Sequence, residues 1–217
     1  MVGNYSRRNL KSLNNKIALV IGAGEIPGST IAIELARSGA KVIVEGSAGV
    51  QEKVLRTVET FGGNALPIRG DMSIETDVRH VLDNIEAILG HVDIVVNVYP
   101  AKNVDKLIED TSYDEWDKTS GEKIRAAFLC CKAFIPNMKR RGCGQIIFIG
   151  SSQSAAESPG QTAISAAEYG IIGLHKALEI ELSGTGIQTL YISPEDYTGS
   201  TSFEKSIVSV LEQNPDV

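Results

Sequence analysis

The 217-residue sequence predicts an α/β fold, a doubly wound parallel sheet in a single domain. Three features carry that prediction. Short apolar runs alternate regularly with helix-length amphipathic stretches. The runs are continuously apolar, as suits strands covered on both faces. Glycines close the helical stretches at Gly39, Gly62 and Gly90, where the chain must turn back toward the sheet.

The elements follow in order. Lys16 to Gly22 reads as a buried strand, and a helical pattern through Ile31, Leu35 and Ala36 stops at Ser38-Gly39. Lys41 to Val44 is a second strand, and Val50 to Phe61 a helix stopped by Gly62-Gly63. Ala65 to Ile68 is the third strand, followed by a helix over Thr76 to Leu89. Val92 to Val98 is the fourth strand, and Asp114 to Arg141 one long helical region. Gln145 to Ile149, Ser165 to Leu182 and Gln188 to Ile192 give strand, helix and strand, and Ser202 to Gln213 a last helix. Strands and helices alternating in this way imply βαβ units with right-handed crossovers. Ligands on such sheets sit beyond the carboxyl ends of the strands, so the strand exits are where chemistry is expected. No linker or repeat divides the chain, so residues 1–217 read as one domain, with 1–15 a polar N-terminal arm.

Composition removes several function classes. Net charge is −6, so no nucleic-acid footprint is expected; Arg7, Arg8 and Lys139 to Arg141 read as a solvated tail and turn. The apolar runs are strand-sized, too short to cross a bilayer, and Met1 to Asn15 lacks the apolar core of a secretory signal. A soluble, cytoplasmic protein is expected. Cys130, Cys131 and Cys143 have no ligand spacing, and His80, His91 and His175 lie far apart, so no metal site is expected. Adjacent Cys130 and Cys131 read as buried thiols.

The first strand exit reads Ile21-Gly-Ala-Gly-Glu-Ile-Pro-Gly28, and it is joined by Gly70-Asp71-Met72, Val95-Val-Asn97 and Ile149-Gly-Ser-Ser152. From about Leu13 to Pro194 this order and spacing resembles the short-chain dehydrogenase/reductase family, a Rossmann-fold group of NAD(P)-dependent oxidoreductases. The family's glycine motif is Thr-Gly-x-x-x-Gly-x-Gly. Gly22 and Gly28 match its outer glycines, but Ile26 replaces the middle one and Ile21 the threonine. A branched side chain at Ile26 is expected to occupy the space of the cofactor pyrophosphate, and Glu25 adds repelling charge there. The position that is often Asp in NAD-dependent members is Gly46, and Glu45, one residue earlier, is expected to point the other way. Asp71 matches an adenine-contacting Asp, and Asn97 an Asn that supports the central sheet in the family. These four matches, Gly22, Gly28, Asp71 and Asn97, read as vestigial.

The catalytic positions diverge further. The resemblance implies a Ser holding the substrate oxygen, a Tyr as acid/base, a Lys four residues later and an Asn on the preceding long helix. A free phenol titrates near about 10, so the Tyr depends on that Lys. Here the four positions are Ser151 (with Ser152 as a one-residue alternative), Ile164, Glu168 and Lys123. No Tyr-x-x-x-Lys occurs anywhere in the chain. Ile164 moves no proton, and Glu168 would raise a neighbouring acid's pKa. Lys123 and Glu168 take positions that face the same small site in family members and together restore neutrality, so an ion pair between them is expected.

The tail also departs from the family. Ser193-Pro194-Glu195-Asp196 stands where Pro-Gly is implied, and the substrate-covering region reads as shortened, with no seventh strand visible. A trimmed protein and segments outside these residues are both consistent with this. In the family the long helices here spanning Lys123 to Met138 and Ser165 to Leu182 form subunit interfaces, and both are apolar on more than one face. The expected function is a non-catalytic subunit that supports an active paralogue in a hetero-oligomeric dehydrogenase, with a hydroxyacyl-CoA as substrate. This chain is expected to bind no cofactor, with NAD(P) held by the partner. Two alternatives stay open: an enzyme with relocated residues drawn from Tyr99, Tyr169, His175 and Lys176, and a nucleotide sensor without chemistry.

Overall fold

A computed structural model describes residues 13–24, 26–98, 105–150, 158–193 and 203–212. The elements are β1 (Ile17–Ile21), α1 (Gly28–Arg37), β2 (Lys41–Glu45), α2 (Ala48–Glu59), β3 (Asn64–Ile68), α3 (Glu75–Ile88) and β4 (Ile94–Val98). They continue with α4 (Tyr113–Trp116), α5 (Glu122–Arg141), β5 (Gly144–Ile149), α6 (Thr162–Glu181), β6 (Ile187–Ile192) and α7 (Phe203–Glu212). The described strands form one six-stranded sheet in the order β3-β2-β1-β4-β5-β6, with every pair parallel. The order reverses between β1 and β4, which opens a crevice at their carboxyl ends.

Period two explains why both faces are covered. Ile17, Leu19 and Ile21 of β1 pack with α3, α5 and α6, whereas Ala18 and Val20 pack with α1, α2 and α7. Each face therefore has its own apolar core, and β1, β4 and β5 are buried along their whole length. The sequence reading of a doubly wound sheet holds.

Two boundaries differ from expectation in ways that matter for the site. The long helical region expected from Asp114 to Arg141 is interrupted by a π-helical segment, Asp117–Gly121, between α4 and α5. Ser112 opens α4 with a capping box closed by Glu115. The extra residue per turn of the π segment shifts the register with which α5 meets the sheet. In addition, α6 starts at Thr162 rather than Ser165, which draws Ile164 into the helix as a buried residue.

The amino ends of the strands are tied together away from the crevice. Arg141 was expected to be solvated; instead it bonds Asp93 at 2.8 Å and the Val92 carbonyl at 2.7 Å. Asp93 in turn accepts the Ile17 N–H. Cys130 and Cys131 are buried, and burial pushes the Cys131 thiol up to about 12. Among the described residues no helix is long and apolar enough to cross a membrane. No cluster of His, Cys, Asp or Glu there could hold a metal ion.

Candidate active site

The glycine turn lies at the exit of β1. Gly28, the first residue of α1, sits so close to β1 that a Cβ would stand 2.4 Å from the Gly22 carbonyl oxygen. The chain's own backbone therefore requires this glycine. Gly46 has φ of +152°, and a Cβ there would meet the Gly24 nitrogen at 2.9 Å. Ile26 is 78% exposed and stands at the mouth of the turn, while Glu25 lies outside the described residues.

Three features of this turn escaped sequence reasoning. The Glu45 carboxylate, set aside as pointing elsewhere, accepts the Gly22 N–H at 2.9 Å. Burial pushes the Glu45 carboxyl above its usual range; the Gly22 bond opposes this and the nearby Asp71 charge adds to it. Pro27 precedes α1 and has no N–H to donate to an anion. Thr30, in the first turn of α1, has its Oγ1 2.8 Å from the Pro27 carbonyl and 2.9 Å from Glu204 Oε1 of α7. A helix N-terminus binds phosphate through free N–H groups and its positive dipole. As it stands, this turn presents two of the chain's own carboxylates and a proline, and that donor set does not fit a dinucleotide pyrophosphate.

The other two cofactor matches, Asp71 and Asn97, differ in their surroundings. Asp71 is exposed and bonds Ser73 through both its N–H, at 2.8 Å, and its hydroxyl. Asn97 is buried on β4, paired in register with Ile21 and Phe148, yet neither amide atom has a hydrogen-bond partner. Among the described residues, no side-chain hydrogen bond from Asn97 makes the sheet support that the resemblance implies. Asn97, Lys123 and Phe148 line a cavity of about 10 Å³, room for one water at most.

At the catalytic positions the expected ion pair is present. Lys123, carried inward from the first turn of α5, donates its Nζ to Glu168 Oε1 of α6, and both side chains are almost fully buried. Ile164, one turn earlier on α6, is 1% exposed. The other Glu168 oxygen accepts from Tyr191 of β6 at 3.2 Å. The Tyr191 phenol also lies over the β5 exit, where a Cβ on Gly150 would stand 2.3 Å from its oxygen. Tyr191 was missed, although period two along β6 puts it on the Ile187 face toward α6. Ser151 and Ser152 fall outside the described residues, as does Tyr99.

The described candidates for relocated chemistry, Tyr169, His175 and Lys176, differ in exposure. Tyr169 is 56% exposed and Lys176 is exposed. His175 has its Nδ1 3.1 Å from Thr189 Oγ1, and burial lowers its pKa against the opposing charge of Glu179. Its ring lies 6.5 Å from that of Tyr191, stacked on the side of the sheet core.

Comparison with known proteins agrees with the architecture. The family model described as short chain dehydrogenase matches residues 16–209. A short chain dehydrogenase of Pseudocercospora fijiensis is 28% identical over 94% of this chain, which spans 66% of that relative's length. The 3-oxoacyl-(acyl-carrier-protein) reductase FabG of Salmonella typhimurium is 33% identical, over 84% of this chain and 74% of its own. The crystal structure of a metagenomic short-chain oxidoreductase in complex with NADP superposes with a TM-score of 0.84 at 25% identity, covering 93% of this chain and 92% of that one. With the parallel sheet, the glycine turn and these matches in agreement, the chain belongs to the short-chain dehydrogenase family.

Proposed function

We propose that this chain is a non-catalytic member of its family. It would serve as the supporting subunit of a hetero-oligomeric NAD(P)-dependent dehydrogenase whose active paralogue acts on a hydroxyacyl-CoA. The observation that carries the reading is the buried Lys123–Glu168 pair, which occupies the positions where the family keeps its Asn and Lys. Lys123 is committed to a carboxylate, and Ile164 holds the position of the acid/base Tyr. Tyr191 aims its proton at Glu168, so it offers that proton to no substrate oxygen along this bond. These contacts support a chain that does not run the family's proton transfer through the Ile164 and Glu168 positions.

The surface supports a partner. Phe128 on α5 and Ile180 on α6 are 50% and 80% exposed, and Phe128, Ile135, Leu174 and Leu178 line an apolar groove between the two helices. The likeness to FabG favours an acyl thioester as the substrate class of the complex. The non-catalytic subunit of 2-(hydroxybenzyl)succinyl-CoA dehydrogenase resembles this plan.

Native mass spectrometry of the complex purified from its source tests the reading. A mixed oligomer with an intact paralogue, holding nucleotide in numbers equal to that paralogue, is expected. A homo-oligomer with one nucleotide per chain overturns it.

A further inference from the structure

We propose that the phosphate seat of this chain is filled from within, with Glu204 on α7 as the latch that closes it. The sequence of α7 shows why the contact is built into the fold. Glu204, Ile207, Val208 and Leu211 recur at helical spacing and form one stripe. Ile207 and Leu211 are fully buried against the core that α1 shares, and Val208 is 7% exposed. The one charged residue on that stripe is Glu204, so seating the stripe delivers its carboxylate to α1. It arrives at Thr30 in the first turn, where the positive end of the helix favours an anion. At the other side of the turn Glu45 takes the Gly22 N–H, and Pro27 between them contributes no donor. Two elements distant in sequence, β2 and α7, therefore place carboxylates on the two sides of one turn, at the Gly22 N–H and at the Thr30 hydroxyl.

The consequence is specific. A dinucleotide at this turn must displace Glu204 and accept the repulsion of Glu45, whereas α7 keeps its apolar stripe seated in the core. The inference rests on the non-catalytic reading in one respect, since only a chain that moves no hydride can keep this seat closed.

The test is isothermal titration of the full chain with NADH and, separately, with inorganic pyrophosphate. Glu204→Gln removes the charge and keeps the shape, and its affinity for both probes is expected to rise at least roughly tenfold over the parent. Thr30→Val removes the hydroxyl that holds the carboxylate and is expected to shift affinity the same way. It decides the matter if the first variant melts below the assay temperature. Variants that bind no better than the parent overturn the latch, whether both bind or neither does. That result leaves the mass of the native complex unchanged, so it is separable from a failure of the non-catalytic reading.

Discussion

Glu45 shows how one buried carboxylate leaves a measurable trace. Its bond to Gly22 favours the ion, yet burial outweighs the bond, and the carboxyl sits above its ordinary 4.5. The sign follows by linkage. Below 4.5 the group is protonated in both the folded and unfolded chain, and the stability associated with the proton is fully present. As pH rises through the raised folded value the unfolded chain sheds its proton more readily, and that stability is lost. Glu45→Gln keeps the shape and an acceptor for Gly22 while removing the ionisation. Denaturant melts of parent and variant between about pH 4 and 8 should therefore diverge, with the variant gaining relative to the parent as pH increases. Parallel curves would mean that Glu45 is better hydrated than its position implies.

At the scale of elements, the Lys123–Glu168 pair joins α5 to α6 behind the sheet. A pair buried this deeply is a poor source of net stability, because desolvation offsets the attraction, but breaking it strands a charge. Lys123→Met and Glu168→Leu alone should each cost about 3–5 kcal/mol, and the double variant should recover most of that loss. Urea denaturation of the four proteins measures the cycle; equal, additive losses would show that the two groups do not depend on each other. This contact was legible in the sequence because both positions could be carried across from the family, one charge answering the other. The strands were legible because runs covered on both faces carry no polar alternation. The π segment at Asp117–Gly121 was not, since its sequence contains no proline and a single glycine is tolerated inside a helix, so it fits a continuous helix as well as an interrupted one. Tyr191 and Glu204 were hidden for a different reason. Their periodicity shows which face they occupy, but their targets lie 23 and 174 residues away, and only the topology brings those together.

For the molecule as a whole, burial is uneven. Among the described residues, helices cover both faces of the sheet and each face has its own apolar core. Yet α5 and α6 turn Phe128 and Ile180 outward beside an apolar groove, and Tyr169 is also exposed on α6. Exposed aromatic and branched residues flanking a groove have the composition of an interface centre, where a few anchors hold most of the binding energy. Their side chains are largely outside the core, so charge introduced there should spare the fold. Phe128→Glu combined with Ile180→Glu is expected to leave the melting temperature of the isolated chain nearly unchanged. In the assembled complex it should weaken association by about 2 kcal/mol or more, close to a thirtyfold rise in Kd. Light scattering of the reconstituted complex over a dilution series measures that shift. A complex that dissociates at the same concentration as the parent would move the interface away from these two helices, and with it the role proposed for them.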